Sequence, residues 1–217
     1  MKTLDPFTDI VGHKRGSGAQ EIKNSSFLEA ITGSKLPFGL TVVRGSSGAG
    51  KTAAAVLLSA DLLRTSQRAV YLDYDNANAN MLCKAQGIDD KFAAIAVQPG
   101  SGINIIESLI LDKNADVIII DSLHNLVYGE VKELNLYQRT AAQLNHLARF
   151  HKVPIIATYD TQMQWTEYME EECQSVVLQK AFTTPNQRQM TCQSSMNDRT
   201  VTLQLARDNA RLSFTED

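Results

Sequence analysis

The run Gly45-Ser46-Ser47-Gly48-Ala49-Gly50-Lys51-Thr52 constrains the fold of this chain more than any other stretch, because of what flanks it. Leu40-Thr41-Val42-Val43 precedes it as a strand, and from Thr52 to about Leu63 follows a segment apolar nearly all round, as suits a helix wedged between a sheet and its neighbours. Glycines let backbone N–H groups curl around an anion, and the helix that follows aims its N-terminal dipole at the same point. In this G-x-x-x-x-G-K-[ST] pattern Lys51 reaches the β- and γ-phosphates of a nucleotide, and the Thr52 hydroxyl holds Mg2+. A chance Gly/Ser-rich turn satisfies the bare pattern but does not require the strand before it and the helix after it.

The rest of the chain continues the alternation. Val70-Tyr71-Leu72 reads as a strand, followed by a helix through Leu82; Ala93 to Val97 is a third strand. Ser101 is placed to cap a helix carrying Ile105, Ile106, Leu109 and Ile110. Val117-Ile118-Ile119-Ile120 is a continuous β-branched run, the pattern of a central strand buried on both faces. Tyr137, Ala141, Leu144 and Ala148 recur at helical spacing before the strand Pro154 to Thr158. Such alternation predicts an α/β fold, a mostly parallel sheet with right-handed crossovers and flanking helices. Beyond Gln162, three short strands at Val176 to Leu178, Met190 to Gln193 and Val201 to Leu205 predict an antiparallel C-terminal edge. With 217 residues, one domain over 25–217 is expected, behind a polar arm over 1–24 that is flexible or ordered by a partner.

A nucleotide-bound Mg2+ needs a carboxylate at the end of a buried strand beside the loop, and Asp121 stands there after Val117 to Ile120. Capping the following turn is its alternative role. Hydrolysis also needs a group that orients or deprotonates water. Asp73 and Asp75 lie on one face at the end of the second strand, and Asp75, nearer the loop mouth, is the choice for the catalytic carboxylate. The competing reading has them capping the next helix.

Composition excludes several classes. A net charge of -3 and a pI near 5.8 lack the basic excess of a general nucleic-acid binder, so any such contact must be local. Cys83, Cys173 and Cys192 have no metal-ligand or disulfide spacing, which fits a reducing cytoplasm. Neither a signal sequence nor a run of ~20 apolar residues is present, so no membrane partner is expected. His124, His146 and His151 lack ligand spacing and read as structural, the last two on a helix surface.

These motifs resemble the RecA-like ATPase superfamily, which includes the recombinases RecA and RadA, the KaiC-type ATPases and the DnaB-type ring helicases. Leu36 to Val43 looks like the family's entry to its first core strand, and Asp116 to Leu123, DVIIIDSL, looks like its second motif. The resemblance covers roughly Phe27 to Phe214 and implies ATP and Mg2+ as ligands. It assigns the phosphates to Gly45 through Thr52, the metal to Thr52 and Asp121, and catalysis to Lys51, Asp75 and Asp121. Asp75 stands where the family usually has Glu. Thr158 and Asp160 stand on the strand whose end senses the γ-phosphate, where Asn or Gln is usual, with Gln162 as a second choice.

Arg207 and Arg211 resemble the late-strand cations that ring-forming members send into a neighbour's nucleotide; solvated arginines on an exposed strand are the alternative. Self-assembly into a ring, a hexamer, or a filament is therefore implied. The family's nucleic-acid loops correspond to about Val127 to Asn135 and Met163 to Ser175, the second of which is acidic through Glu167, Glu170, Glu171 and Glu172 but holds Trp165 and Tyr168. Lys180, Arg188 and Arg199 line either a ring channel or a charged edge. The implied function is an ATP-driven motor or filament ATPase on single- or double-stranded nucleic acid, in translocation, packaging, helicase or recombinase-type work. The motif order and DSLHNLVYG also resemble the packaging NTPases of cystoviruses. A nucleotide-dependent switch or assembly ATPase with a protein partner is the alternative.

Overall fold

Apolar runs become strands, and the segments between them become helices, in a computed structural model of the chain. The structure describes residues 27–32, 38–63, 67–74, 79–127, 134–161, 169, 171, 173–183, 187–195, 197–206 and 212–216. In chain order the helices are α1 (Phe27–Thr32), α2 (Lys51–Leu62), α3 (Ala79–Gln86), α4 (Asn104–Leu111), α5 (Leu123–Leu126) and α6 (Leu134–His151). The strands are β1 (Leu40–Gly45), β2 (Ala69–Asp73), β3 (Phe92–Ala96), β4 (Val117–Asp121), β5 (Ile155–Asp160), β6 (Gln174–Thr183), β7 (Gln187–Ser194), β8 (Asn197–Ala206) and β9 (Leu212–Glu216). The arm over 1–24 lies outside the described residues.

All these strands join one sheet in the order β3-β2-β4-β5-β1-β6-β7-β8-β9. From β3 to β6 every pairing is parallel; from β6 to β9 every pairing is antiparallel. The result is a mixed α/β fold with helices on both faces of a mostly parallel sheet and an antiparallel C-terminal extension. The period of two along each strand divides the core in half. Val43, Tyr71, Ile119 and Ile156 pack with α1, α2 and α3 on one face. Val42, Leu72, Ile118, Ile120 and Ala157 pack with α4, α5 and α6 on the other. All five residues of β4 are buried, as its β-branched run requires of a strand covered on both sides.

Three details differ from the sequence expectation. The three C-terminal strands are eight to ten residues long rather than short, and β9 adds a further one. Many of their alternate residues are Gln, Thr or Ser, which breaks up the apolar signal of each strand. The antiparallel pairing also begins one strand later, because β6 lies parallel to β1 and only its other edge receives β7. Finally, Ser101 does not cap α4, whose N-cap residue is Ile103; its hydroxyl meets that of Tyr74 at 2.7 Å. The three cysteines are free and buried, and burial pushes the Cys192 thiol up to about 12.

Helix α1 is tied to α2 by a carboxylate. Asp61 Oδ2 accepts the Leu28 N–H at 2.8 Å, and the Phe27 N–H also points at this group. Burial raises the Asp61 carboxyl from 3.8 to about 6, with the two N–H groups opposing the rise. The folded state therefore binds this proton more tightly than the unfolded chain does. That contribution is fully present below pH 3.8 and is lost as pH rises through about 6. Asp61→Asn keeps an acceptor for Leu28 without the charge. Thermal unfolding at pH 4 and pH 7 should show its stability relative to the parent improving with pH, by on the order of 2 kcal/mol.

Candidate nucleotide site

The loop between β1 and α2 requires glycine for two separate reasons. Gly48 and Gly50 have φ of 74° and 89°, in the left-handed region that side chains avoid. At Gly45 the constraint is space, since an added Cβ would lie 3.1 Å from the Leu178 carbonyl oxygen and 3.1 Å from Ala49 Cβ. The turn closes through Ala49 N–H to Ser46 O at 3.1 Å, and Ala54 N–H to Gly50 O at 3.0 Å opens the ladder of α2. Twelve residues of helix then stand behind a loop of bare backbone.

Three strand ends converge beneath the first turn of α2. In β2, β4 and β5 the polar residues have the parity that faces α2: Tyr71 and Asp73, then Asp121 two residues after Ile119, then Thr158 and Asp160 after Ile156. Asp73 pairs across the ladder with Asp121. Ala157 pairs near Ile120, so Thr158 comes level with Asp121 from the other side. The strand registers thus deliver polar groups from three strands to one small region of an otherwise apolar face.

Asp121 is the centre of that region and is 3% exposed. Its Oδ2 accepts the Thr52 hydroxyl at 2.7 Å and also the Tyr71 phenol. Its Oδ1 accepts the Thr158 hydroxyl. A carboxylate so deeply buried is tolerated when its oxygens are hydrogen-bonded, as they are here. Burial first and the Asp121 charge second raise the Tyr71 phenol far above its ordinary value, so it remains a donor. The Asp121 carbonyl accepts the Tyr74 N–H at 2.8 Å, which ties the exit of β2 to the end of β4. Ser122 Oγ and His124 Nδ1 share a hydrogen bond of 2.7 Å just beyond.

Lys51 folds back over its own loop. Its ammonium donates to Gly45 O at 2.9 Å and Ser46 O at 3.0 Å, and it lies 3.4 Å from Asp160 Oδ2. The structure thus brings together Gly45 to Gly50, Lys51, Thr52 and Asp121, and adds Thr158 and Asp160 to them. In this arrangement Thr158 faces Asp121 and Asp160 faces Lys51. Asp75, Gln162, Trp165, Tyr168, Arg207 and Arg211 lie outside the described residues, as do the side chains of Lys180, Arg188 and Arg199. His146 is exposed on α6, with its ring stacked on Phe150.

Tyr71 is the site residue that sequence reasoning did not single out. Its signal was parity: a polar-tipped residue two positions before Asp73, in a strand otherwise apolar. The donors at the mouth of the site, a hydroxyl and a carboxylate at a helix N-terminus, are hard oxygens of the kind that hold Mg2+ together with phosphate and water. The residues present therefore fit a Mg2+–nucleotide.

Residues 39–206 match the family model described as Schlafen group 3, DNA/RNA helicase domain. The match runs from the residue before β1 to the last residue of β8 and covers well over half of the chain. No curated protein matches the chain. Among the described residues, no helix is long and apolar enough to cross a membrane.

Gly50→Ala tests the backbone of the loop. An added Cβ would approach Met190 Cε to 2.6 Å, a clash that the flexible end of Met190 relieves, whereas the φ of 89° remains. The substitution should cost about 1–2 kcal/mol in chemical denaturation, because the left-handed backbone conformation is strained for any side chain.

Proposed function

The chain belongs to the Schlafen group 3, DNA/RNA helicase domain family, and from that premise we propose that it is a RecA-like ATPase coupling Mg2+-dependent hydrolysis to work on nucleic acid. The observation that carries this reading is the hydrogen bond from Thr52 Oγ1 to Asp121 Oδ2 at 2.7 Å, which joins the phosphate loop to a carboxylate 69 residues away. It supports a shared metal site in a way that a glycine-rich turn alone does not.

In this reading the N–H groups of the loop and the start of α2 cradle the phosphates. Lys51 exchanges Asp160 and two carbonyl oxygens for the β- and γ-phosphates, a gain because phosphate oxygens carry more charge. Thr52 and Asp121 hold Mg2+, which neutralises charge on the transferring phosphoryl group. Asp75 orients the attacking water and accepts its proton. Arg207 and Arg211 act on the nucleotide of a neighbouring copy, so that residues 25–217 work as one ATPase unit of a ring or filament, in the cytoplasm.

Four measurements check these assignments. Lys51→Ala should lower ATP turnover by about 10²–10³-fold, and unchanged turnover would remove the loop from the chemistry. Asp75→Asn should bind ATP and hydrolyse it slowly; if Asp73→Asn is the slow variant instead, the water-orienting role moves two residues back. Single-stranded RNA or DNA should stimulate turnover in a salt-dependent way. Absence of stimulation by any polynucleotide across a salt series would overturn the nucleic-acid role. Chains carrying Arg207→Ala or Arg211→Ala should regain activity when mixed with Lys51→Ala chains if the sites are shared.

A further inference from the structure

The hydroxyls of Tyr71 and Thr158 sit where packing alone has no need of them. Tyr71 and Thr158 are fully buried, on the sheet face that carries Val43, Ile119, Ile156 and the apolar side of α2. The Tyr71 ring packs on Phe92 with centroids 5.5 Å apart. Phe and Val would fill the same volumes without the cost of burying a hydroxyl. Both hydroxyls donate to one acceptor, the Asp121 carboxylate, from the strands on either side of it.

We infer that Tyr71 and Thr158 are positioning residues for the Mg2+–nucleotide, acting through Asp121; the inference rests on the nucleotide reading above. An aspartate can rotate broadly about its last torsion. Here Tyr71 holds Oδ2 from β2 and Thr158 holds Oδ1 from β5, so the plane of the carboxylate is set by two strands rather than by its own chain. Oδ2 is also the oxygen that accepts the Thr52 hydroxyl. With its proton directed at Oδ2, Thr52 keeps its oxygen lone pairs for a cation. The two hydroxyls therefore orient both proposed metal-holding residues without touching metal or phosphate themselves.

The test is the affinity of the full chain for a fluorescent ATP analogue, measured in Mg2+ and again in EDTA. Partners that orient a metal-holding group typically contribute 10–100-fold to metal affinity. Tyr71→Phe and Thr158→Val should each lower the ratio of the two affinities by about tenfold, while the affinity in EDTA changes little. Thr158→Ser, which restores the hydroxyl, should restore the ratio. A purely structural role would move the two affinities together and leave the ratio at the parent value, which would overturn the inference. Should Tyr71→Phe fail to fold, the Val and Ser variants at Thr158 decide it. If Lys51→Ala abolishes binding while both hydroxyl variants keep the parent ratio, this inference alone falls. If the parent binds no nucleotide, the nucleotide reading falls and takes the inference with it.

Discussion

A carboxylate at 3% exposure imposes conditions on everything around it, and Asp121 imposes them on three strands and a helix. Burying its charge is costly unless its oxygens are hydrogen-bonded. Donors must therefore come from neighbours of correct parity and register: Tyr71 from β2, Thr158 from β5 and Thr52 from the first turn of α2. Each is fixed by an element whose other residues are mostly apolar and packed. A one-residue slip of β2 or β5 would turn its hydroxyl to the opposite face and leave the carboxylate short of a partner. The same hydrogen bonds that satisfy the buried carboxylate also select the register of the sheet beneath it.

The second charge in the site is handled differently. Lys51 and Asp160 have side chains 15% and 22% exposed and stand 3.4 Å apart, with two loop carbonyls completing the lysine's partners. The pair is partly buried, and its 3.4 Å separation is longer than that of a tight charge-assisted hydrogen bond. The Lys51 contact is thus longer and more exposed than the hydrogen bonds that close around Asp121. Asp160 follows Thr158 on the same face of β5, so one strand end serves both charges.

Most of the fold was legible because its central strands are strongly apolar and its loop motif has little freedom in what surrounds it. Val117 to Ile120 and the loop from Gly45 to Thr52 located β4, α2 and the site between them. Long-range pairing was less legible. Nothing local in Gln174 to Leu178 distinguishes a strand that lies parallel to β1 from one that begins an antiparallel edge. Thr158 and Asp160 read as polar residues ending a buried strand, but which group they face depends on the registers of β4 and α2. Tyr71 escaped notice because a tyrosine in a strand is ordinary by propensity. Only its parity with Asp73 and Asp121 gives its hydroxyl a purpose.

The antiparallel extension is more than an edge. Leu178 of β6 presses its carbonyl oxygen on Gly45, and Met190 of β7 lies against Gly50, at the two ends of the phosphate loop. The first and last glycines of the loop are therefore also the places where the extension meets it. Val176, Leu178, Met190, Cys192, Val201 and Leu203 share one core with α1 and α2, so the extension is packed into the helix that the loop begins. A displacement of β6 or β7 relative to β1 would therefore reach the loop first at Gly45 and Gly50.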